Sequence, residues 1–424
     1  MRKGWVGFVV LVIIAAIALI GLRVFVFTSE SSVQKPVVIR LSGGSASSTE
    51  AALLQSVLQD FETLHPNINV KYEVIADQYM DVIKTRLIGE AAPDVFYLYV
   101  SDAPFLINKD VLEPLDSYIT ADFDLADFEP SLLNPFKDQG RIYGLPKDYS
   151  TLALFYNKQA FAAAGLTDPP QTWEELSQYA QQLTLDADQD GRIEQYGIGI
   201  MPELARQVYK IESFGGQLVD PDGHAAFATD KGVKGLKLLV DQYRQDRSSA
   251  QPSDVGNAFA AEMFGQEKAA MMISGNWAIP YLAETFPKVE FGVAELPRIN
   301  DQPGTMVYTV AYVLNKQAEH KAEAWELIAY LTGKEGMKNW TSNGLALPTR
   351  KSVGAALGYD QDPLRAALVA GVNYATPWQG GEHLSVITNS FNNQFLSALL
   401  GEQSLKQAMV KAQKSANRQI KANE

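Results

Sequence analysis

The sequence predicts an α/β fold made of two lobes. Its 424 residues exceed what one hydrophobic core usually organises. Beyond residue 36, short runs of β-branched and aromatic residues alternate with segments of helical periodicity, a pattern typical of a mostly parallel sheet flanked by helices. This alternation fills residues 37–100 and returns from residue 151 onward. We therefore expect two such sheets, one in each lobe.

Residues 37–100 predict a β-α-β-α-β unit. The elements are a strand at 37–41, a helix that ends before Pro66, a strand at 68–74, a helix at 78–88 and a strand at 95–100. In an open sheet of this kind, ligands bind just beyond the carboxyl ends of the strands. Any ligand site of this lobe is expected at that edge.

The rest of the chain repeats the alternation. The predicted strands lie at 151–156, 197–200, 269–273 and 309–314. The predicted helices lie at 173–183, 231–243, 258–265, 321–331 and 384–422. No internal repeat or low-complexity tract interrupts them. The economical arrangement is a second α/β lobe joined to the first by crossing strands.

The N-terminus predicts a membrane-associated helix. Residues 5–22 are an uninterrupted run of apolar residues and glycine, and a helix of this length spans about 27 Å, close to the hydrocarbon thickness of a bilayer. Arg2 and Lys3 favour a cytoplasmic start, and Arg23 can extend to the outer interface. We expect residues 1–27 to be an uncleaved signal-anchor helix and residues 28–35 to be a polar linker.

A cleaved signal peptide is the alternative for this segment. Ala16-Ile17-Ala18 has the small-x-small pattern of a cleavage site. Cleavage there would leave a strongly apolar new N-terminus, which favours retention of the helix. The body of the protein is exported in either case.

Composition argues against several classes of function. The net charge of -13 gives a surface that repels nucleic acid, so no nucleic-acid partner is expected. The sequence has no cysteine, and therefore no disulfide, thiolate metal site, cysteine nucleophile or lipid-modified cysteine.

Catalytic motifs are also missing from the sequence. None of the four histidines has a metal-ligand spacing, and there is no G-x-S-x-G, Walker or post-strand G-x-G-x-x-G motif. An enzyme needs a converging set of reactive groups, so we predict a non-enzymatic protein without catalytic residues. Because Asp and Glu are plentiful, a membrane-anchored enzyme that acts on glycans through a carboxylate pair stays open as the alternative.

One Asp-rich loop has the spacing of a calcium site. Carboxylates occupy positions 1, 3, 5 and 9 of an EF-hand-type loop: Asp186, Asp188, Asp190 and Glu194. Position 12, which usually holds a bidentate Glu, is Gly197. Two interpretations stay open, a structural calcium ion and a turn closed by hydrogen bonds from the backbone to Asp side chains. No cofactor is otherwise required.

Two tryptophans are candidates for ligand contact. Trp277 follows a Gly-Asn pair after an apolar strand, and Trp378 lies in a loop rich in Gly and Pro. Such a ring can stack on the apolar face of a sugar, while a carboxylate such as Asp148 accepts hydrogen bonds from hydroxyl groups. Ordinary packing is the alternative for both rings. We expect Trp173 and Trp340, at helix ends, to be structural.

Several segments together resemble the family 1 extracellular solute-binding proteins of ABC importers, the group that contains maltose- and trehalose-binding proteins. The similarity extends from about residue 37 to the C-terminus, with the motifs in the family's order. The matching segments are 140–146 (GRIYGLP), 154–158 (LFYNK), 164–166 (AGL), 169–176 (PPQTWEEL), 191–197 (GRIEQYG), 213–216 (SFGG), 268–277 (KAAMMISGNW), 295–297 (ELP), 323–325 (EAW) and 347–350 (LPTR).

The resemblance implies the type II periplasmic-binding-protein fold, with a ligand enclosed between two hinged lobes. Carried over position by position, it implies that the first lobe and the hinge contribute Ser42, Gly43, Tyr99, Asp102, Asp148 and Ser150. It implies that the second lobe and the later segments contribute Asn276, Trp277, Tyr308, Thr309, Tyr374 and Trp378. Many relatives carry Trp where this chain has Ser42-Gly43 and Asp where it has Tyr99, so one stacking surface and one hydroxyl acceptor are expected to be missing or moved.

The same resemblance implies the partners and the lobes. The ligand is expected to be a mono- to oligosaccharide or a polyol, with a polyamine or a sugar phosphate as alternatives, and the protein partners to be ABC permease subunits. The scarcity of Arg and Lys in the site loops favours a neutral ligand. We expect a monomer at the periplasmic or extracellular face of the plasma membrane. The expected lobes are 36–147 with 288–331, and 148–287 with 332–424.

Overall fold

The computed structural model describes residues 35–44 and 48–423, which form two α/β lobes. This confirms the predicted two-lobed α/β class. The predicted anchor helix at 1–27 and nearly all of the linker at 28–35 lie outside the described residues. Within the described ranges, no helix combines the length and the apolar character that crossing a membrane requires.

The elements follow one another in two series. The first series comprises β1 (Val37–Gly43), α1 (Ser48–Leu64), β2 (Ile68–Val74), α2 (Tyr79–Ile88), β3 (Val95–Tyr99), α3 (Ala103–Asn108), α4 (Pro130–Leu133), β4 (Lys137–Asp138), β5 (Arg141–Ile142), β6 (Gly144–Thr151), β7 (Ala153–Asn157), α5 (Lys158–Ala163), α6 (Trp173–Gln182), β8 (Tyr196–Gly199) and α7 (Val208–Glu212). The second comprises α8 (Asp230–Arg244), β9 (Ser249–Ala250), α9 (Ala260–Gly265), β10 (Ala269–Ser274), α10 (Ala278–Thr285), β11 (Phe291–Ala294), β12 (Thr305–Leu314), α11 (Lys321–Thr332), α12 (Lys334–Thr341), α13 (Lys351–Leu357), α14 (Ala366–Gly371), β13 (Ala375–Pro377), α15 (Leu384–Leu399) and α16 (Leu405–Asn423).

The first sheet has the strand order β13-β12-β3-β1-β2, and β6 also pairs with β12. Strand β1 is parallel to β2 and β3, as the β-α-β-α-β pattern predicts. Strand β12 is antiparallel to β3 and to β6. It comes directly from the second lobe and not through a helical crossover, so nothing requires it to run parallel to its neighbours.

The second sheet has the order β11-β7-β10-β8-β9. Strands β10, β8 and β9 pair in parallel, whereas β7 is antiparallel to β10 and β11. Both sheets are mixed: three of the five strand pairings in the first sheet and two of the four in the second are parallel, so the prediction of a mostly parallel sheet holds for the first lobe and is wrong for the second. In each lobe the antiparallel partners include a strand next to the crossing between the lobes.

The crossing between the lobes is short. Strand β6 of the first sheet passes through Leu152 alone into β7 of the second, and β12 runs beside β6. Two buried hydroxyl groups satisfy carbonyl groups here: Thr305 Oγ1 donates to Leu152 O at 2.7 Å, and Thr151 Oγ1 to Leu368 O at 2.6 Å. Paired polar groups of this kind avoid the cost of burying unsatisfied carbonyls.

Two parts of the chain lie in a different lobe from the one expected. The expected boundaries assigned β11 to the first lobe, but this strand pairs with β7 in the second sheet. They assigned residues from 332 onward to the second lobe. In the structure Met337, Trp340 and Val353, on α12 and α13, join the hydrophobic core of the first lobe. The chain therefore returns to the first lobe for longer than the sequence pattern indicated.

Helix α1 shows how periodicity builds the first lobe. Its side chains Leu54, Val57, Leu58 and Phe61 are nearly inaccessible and recur at helical spacing on one face. They pack with Ile39 of β1 in the core of that lobe. Burial of each large apolar side chain stabilises the fold by about 1.5–3 kcal/mol. The carboxyl edge of the sheet is left free to face the other lobe.

Candidate functional site: the cleft between the lobes

A cavity of about 740 Å³ opens between the lobes beside the crossing strands β6 and β12. Its size lies within the range of pockets that enclose small-molecule ligands. The first lobe contributes Glu50, Tyr99 and Ser101, and the crossing strands contribute Asp148, Ser150, Tyr308 and Thr309. The second lobe contributes Met201, Arg206, Phe259, Trp277, Tyr281 and Glu284, and later segments contribute Trp340, Leu345 and Trp378. Residues of both lobes therefore line the same cavity.

Two thirds of the residues expected at the site line this cleft. They are Tyr99, Asp148, Ser150, Asn276, Trp277, Tyr308, Thr309 and Trp378. Trp378 is half-buried and packs against the hydrophobic cores of both lobes. Burial raises the pKa of Tyr99 and of Tyr308, so both phenols are neutral at physiological pH.

Two residues expected after the first strand do not line the cleft. Ser42 is inaccessible, and its carbonyl accepts a hydrogen bond from Tyr79 Oη at 2.9 Å. Gly43 lies beneath the ring of Tyr97, which a Cβ atom at position 43 would approach to 2.5 Å. The end of β1 is therefore covered by tyrosines of the first lobe. Neither Ser42 nor Gly43 lines the cleft, contrary to what the resemblance implied.

Two further expected residues are also outside the cleft walls. Asp102 is engaged by Lys84 Nζ at 2.5 Å and by Ser101 Oγ at 2.8 Å. Tyr374 donates a hydrogen bond to Glu295 Oε2 at 2.5 Å. Both side chains are therefore held by neighbouring residues of the fold. The sequence pattern does not show these contacts.

Trp277 presents an aromatic face to the cleft. The residue lies between β10 and α10, and it is 42% exposed. Tryptophan side chains are usually more deeply buried than this. A Cβ atom at Gly275 would lie 2.3 Å from the indole, so only glycine there lets the ring lie against the backbone. Tyr308 supports the ring edge-on at 5.8 Å between centroids. The arrangement is a supported, solvent-facing platform.

Asp148 is held in a fixed orientation beside this platform. Trp340 Nε1 donates to Asp148 Oδ2 at 2.9 Å, and the ammonium group of Lys147 contacts the same oxygen. Lys147 is 3% exposed, and its Nζ lies 4.2 Å from the centroid of the Trp340 ring. The expectation that Trp340 is structural is thus incomplete, because this residue packs in the core and also lines the cleft.

Asn276 connects three segments at the back of the cleft. Its backbone N–H donates to Ser150 Oγ at 2.8 Å, and its Nδ2 donates to Gly344 O at 3.0 Å and to Leu345 O at 2.9 Å. The residue is 1% exposed. It therefore joins the loop after β10 both to the crossing strand and to the loop after α12. This bonding positions its neighbour Trp277.

Several cleft residues were not identified from the sequence. They include Glu50, Arg206, Phe259, Tyr281 and Glu284. Arg206 donates to Ile273 O at 3.3 Å, lies 3.8 Å from Glu203 and 5.9 Å from the Trp277 ring. Among the described residues of the wall, there are three carboxylates (Glu50, Asp148 and Glu284) and one cation, the guanidinium group of Arg206. The wall therefore has more negative than positive charge.

The Asp-rich loop lies between α6 and β8, away from the cleft walls. Carboxylate oxygens of Asp186, Asp188, Asp190 and Glu194 lie within 4.8 Å of one another, a spacing that suits a divalent cation. The same carboxylates accept hydrogen bonds from backbone N–H groups of the loop, at 2.7–3.1 Å. Both sequence interpretations fit this arrangement.

The fold and the cleft together define a two-lobed binding protein for a small ligand. Residues 45–338 match the family model described as bacterial extracellular solute-binding protein. The chain belongs to this family, and its site of action is extracytoplasmic. The family's members are binding proteins and not enzymes.

Relatives and solved structures agree over nearly the whole length. A protein of Brucella abortus, named only as a binding protein, is 25% identical over 404 residues, which are 93% of this chain and 96% of that protein. The mannitol-binding protein of Pseudomonas aeruginosa is 25% identical over 402 residues, covering 87% and 90% of the two chains. The structure of an ABC substrate-binding protein of Listeria monocytogenes in complex with cycloalternan has a TM-score of 0.81, at 21% identity over 91% of this chain and 99% of that chain.

Proposed function

We propose that this extracellular solute-binding protein captures a neutral carbohydrate or polyol in the cleft and delivers it to the permease of an ABC importer. The observation that carries the proposal is the exposed face of Trp277, set beside the fixed carboxylate of Asp148 in a space that both lobes line. A sugar ring needs this combination of a flat apolar surface and oriented hydrogen-bond acceptors. The relatives that bind mannitol and cycloalternan support this ligand class.

The charge of the cleft supports a neutral ligand over a phosphorylated one. Recognition of phosphate favours Arg and Lys, but Arg206 is the one cation among the described lining residues, and Glu203 lies 3.8 Å from it. A polyamine is the second candidate, because three carboxylates line the cleft. Asp148 already accepts from Lys147 and Trp340, which reduces its capacity for a cationic ligand.

Binding works through a shift between an open and a closed arrangement of the lobes. The short connections at Leu152 and along β12 are the elements about which the lobes can rotate. A ligand that contacts both walls binds the closed arrangement more tightly, and its differential affinity drives closure. The closed surface is then what the permease recognises. No bond in the ligand is made or broken.

The proposed location includes an anchor. We infer that residues 1–27 hold the protein at the outer face of the membrane as an uncleaved helix, and that the binding subunit acts as a monomer. The apolar run at 5–22 with Arg2 and Lys3 before it supports the anchor. In this arrangement the helix attaches the protein to the membrane without a lipid-modified cysteine, since the sequence has no cysteine.

A thermal-shift panel tests the proposed function. The full chain is melted alone and with maltotriose, mannotriose, mannitol, spermidine or glucose 6-phosphate. A ligand at about 100 times its Kd stabilises the folded state by about 2.7 kcal/mol, which raises the melting temperature measurably. We expect a shift with an oligosaccharide or with mannitol. A shift confined to spermidine or glucose 6-phosphate, or the appearance of cleavage products by chromatography, would contradict the proposal.

A further inference from the structure

A small chamber lies behind the cleft wall of the second lobe. It has a volume of about 20 Å³ and is bounded by α6, α7, α8 and the strands β8 and β10. Met201 and Arg206 line both this chamber and the ligand cleft, so they separate the two spaces. A water molecule needs roughly 10–15 Å³ measured in this way. The chamber can therefore hold one water molecule but no larger ligand.

Five polar side chains line the chamber: Trp173, Lys210 and Gln242 from three helices, and Arg206 and Gln207 from the segment before α7. Trp173 and Gln242 are 3% and 1% exposed, and neither Trp173 Nε1 nor Gln242 Oε1 has a hydrogen-bond partner among the described residues. Lys210 is 2% exposed, and its Nζ donates to Gln207 Oε1 at 2.9 Å and to Arg206 O at 3.3 Å. Buried polar atoms are almost always paired, so the indole N–H and the amide oxygen require a partner.

Lys210 is an unusual lysine. Of the residues that the structure describes, no carboxylate pairs with it. Burial, together with the nearby positive charge of Arg206, lowers the pKa of Lys210 to about 7. Tyr209 also contacts the ammonium position and is neutral, since burial raises its pKa. The other side chains that surround Lys210, from α6, α8 and the two strands, do not titrate.

Above about pH 7 the amine of Lys210 is mostly neutral, with two N–H donors and one lone pair. Its donors match the two acceptors already in contact, Gln207 Oε1 and Arg206 O. The lone pair is left to accept a hydrogen bond. Arg206 also lines the chamber, but its guanidinium group donates to Ile273 O and lies 3.8 Å from Glu203. Apart from Arg206, the chamber presents one donor, the indole of Trp173, and two acceptors, Gln242 Oε1 and Lys210 Nζ.

We propose that the chamber is a binding site for one structural water molecule, which accepts a hydrogen bond from Trp173 and donates one each to Gln242 and Lys210. Both water hydrogens are used, and each of the three protein groups gains a partner. A halide ion does not fit this set, because it accepts hydrogen bonds only and would face the oxygen of Gln242.

The chamber lies directly behind the second-lobe wall of the cleft and helps to support that wall. Gln207 Nε2 donates to Met201 O at 2.8 Å, so the group bonded to Lys210 also fastens the turn that carries Met201 and Arg206. Helix α8 packs closely against α7: a Cβ atom at Gly235 would lie 2.0 Å from the carbonyl oxygen of Lys210, so only glycine fits there. The water completes a buried support for the second-lobe wall of the cleft.

Crystallography tests the site directly. Crystals of the full chain in detergent, grown at pH 8.5 and measured to about 1.5 Å, are expected to show one density peak within hydrogen-bond distance of Trp173 Nε1, Gln242 Oε1 and Lys210 Nζ. The matched variant Trp173→Phe keeps a ring but lacks the donor, and its peak is expected to weaken or vanish. A chamber without density in the wild-type protein, or an anomalous peak there after a bromide soak, overturns the proposal.

The pH dependence of stability tests the neutral amine. Because the pKa of Lys210 is lowered in the folded state and ordinary in the unfolded state, the unfolded chain binds more protons between about pH 7 and pH 10, and stability rises with pH across this window. We expect Lys210→Met to remove part of this rise in the urea midpoint. Lys414→Met, an exposed lysine of the same lobe, should keep it. Parallel curves for the wild type and Lys210→Met would overturn the assignment of Lys210 as the acceptor.

Discussion

The indole of Trp340 donates a hydrogen bond to Asp148 across 2.9 Å and so joins helix α12 to the crossing strand β6. Lys147, whose ammonium group lies over the Trp340 ring, contacts the same carboxylate oxygen. Asp148 is therefore held by two partners at the point where the chain passes between the lobes. An acceptor fixed in this way needs little reorganisation when a ligand hydroxyl group arrives, which lowers the entropic cost of binding.

Trp340→Phe tests this relationship. The change removes the indole donor but keeps a ring over Lys147. We expect a loss of about 1–2 kcal/mol in the free energy of unfolding, measured in urea, because one hydrogen bond to a charged group is lost. Affinity for the best ligand of the thermal-shift panel, measured by calorimetry, should fall about three- to tenfold.

Trp325→Phe is the matched control for this variant. Trp325 packs on the first lobe against Tyr118 and Phe123 and does not line the cleft. The Trp325→Phe variant should therefore bind the ligand with the affinity of the wild type. If Trp340→Phe loses stability but binds as tightly as the wild type, the orientation of Asp148 is not used in binding.

The anchor can be tested by fractionation. Because residues 5–22 are long, apolar and preceded by two basic residues, the mature protein should remain in membrane fractions with its N-terminus intact. Mass spectrometry of the purified protein reports the first residue. Recovery of a soluble form that begins near residue 19 or 28 would refute the anchor and favour a cleaved signal peptide.

The Asp-rich loop makes a separate prediction about metal. If Asp186, Asp188, Asp190 and Glu194 hold calcium, a chelator should lower the melting temperature, because an ion that binds the folded state stabilises it by mass action. Ligand affinity should change little, since none of these residues lines the cleft. Asp188→Asn, which weakens the site, should make the protein insensitive to the chelator. Superimposable melting curves with and without chelator would contradict the calcium site and favour the other interpretation, a turn closed by hydrogen bonds.

Local pattern was sufficient to predict the β-α-β-α-β unit and its parallel strands, but not the direction of the strands that return from the other lobe. The alternation that predicts β1, α1 and β2 depends on neighbours in the chain, so it is visible in the sequence. The antiparallel placement of β12 depends on the lobe from which the chain returns. That is a long-range property, and no residue near 305–314 encodes it. The same limit explains why β11 and α12 lie in lobes other than those expected.

The site residues divide in a similar way. Trp277 could be found because a glycine and an asparagine precede it after an apolar strand. Arg206 could not, since it ends a three-residue 3-10 helix (Leu204–Arg206) whose position depends on long-range contacts. Tyr308 donates to Ala205 O at 2.7 Å, and buried Gln207 donates to Met201 O. Asp102 had the right place in the strand order, but Lys84 engages it. Competition from a local partner is visible only in three dimensions.

Trp277→Ala is the decisive test of the site. The exposed indole supports little of either core, so the variant should fold and melt close to the wild type. Removing a large apolar face from a site that closure shields from water costs on the order of 1.5–3 kcal/mol of binding, so affinity should fall at least about tenfold by calorimetry. Trp277→Phe keeps an aromatic face and should recover part of the loss. If Trp277→Ala binds within about twofold of the wild type, Trp277 is a packing residue. If it fails to fold, Trp378, which packs against both lobes, becomes the better candidate for the platform.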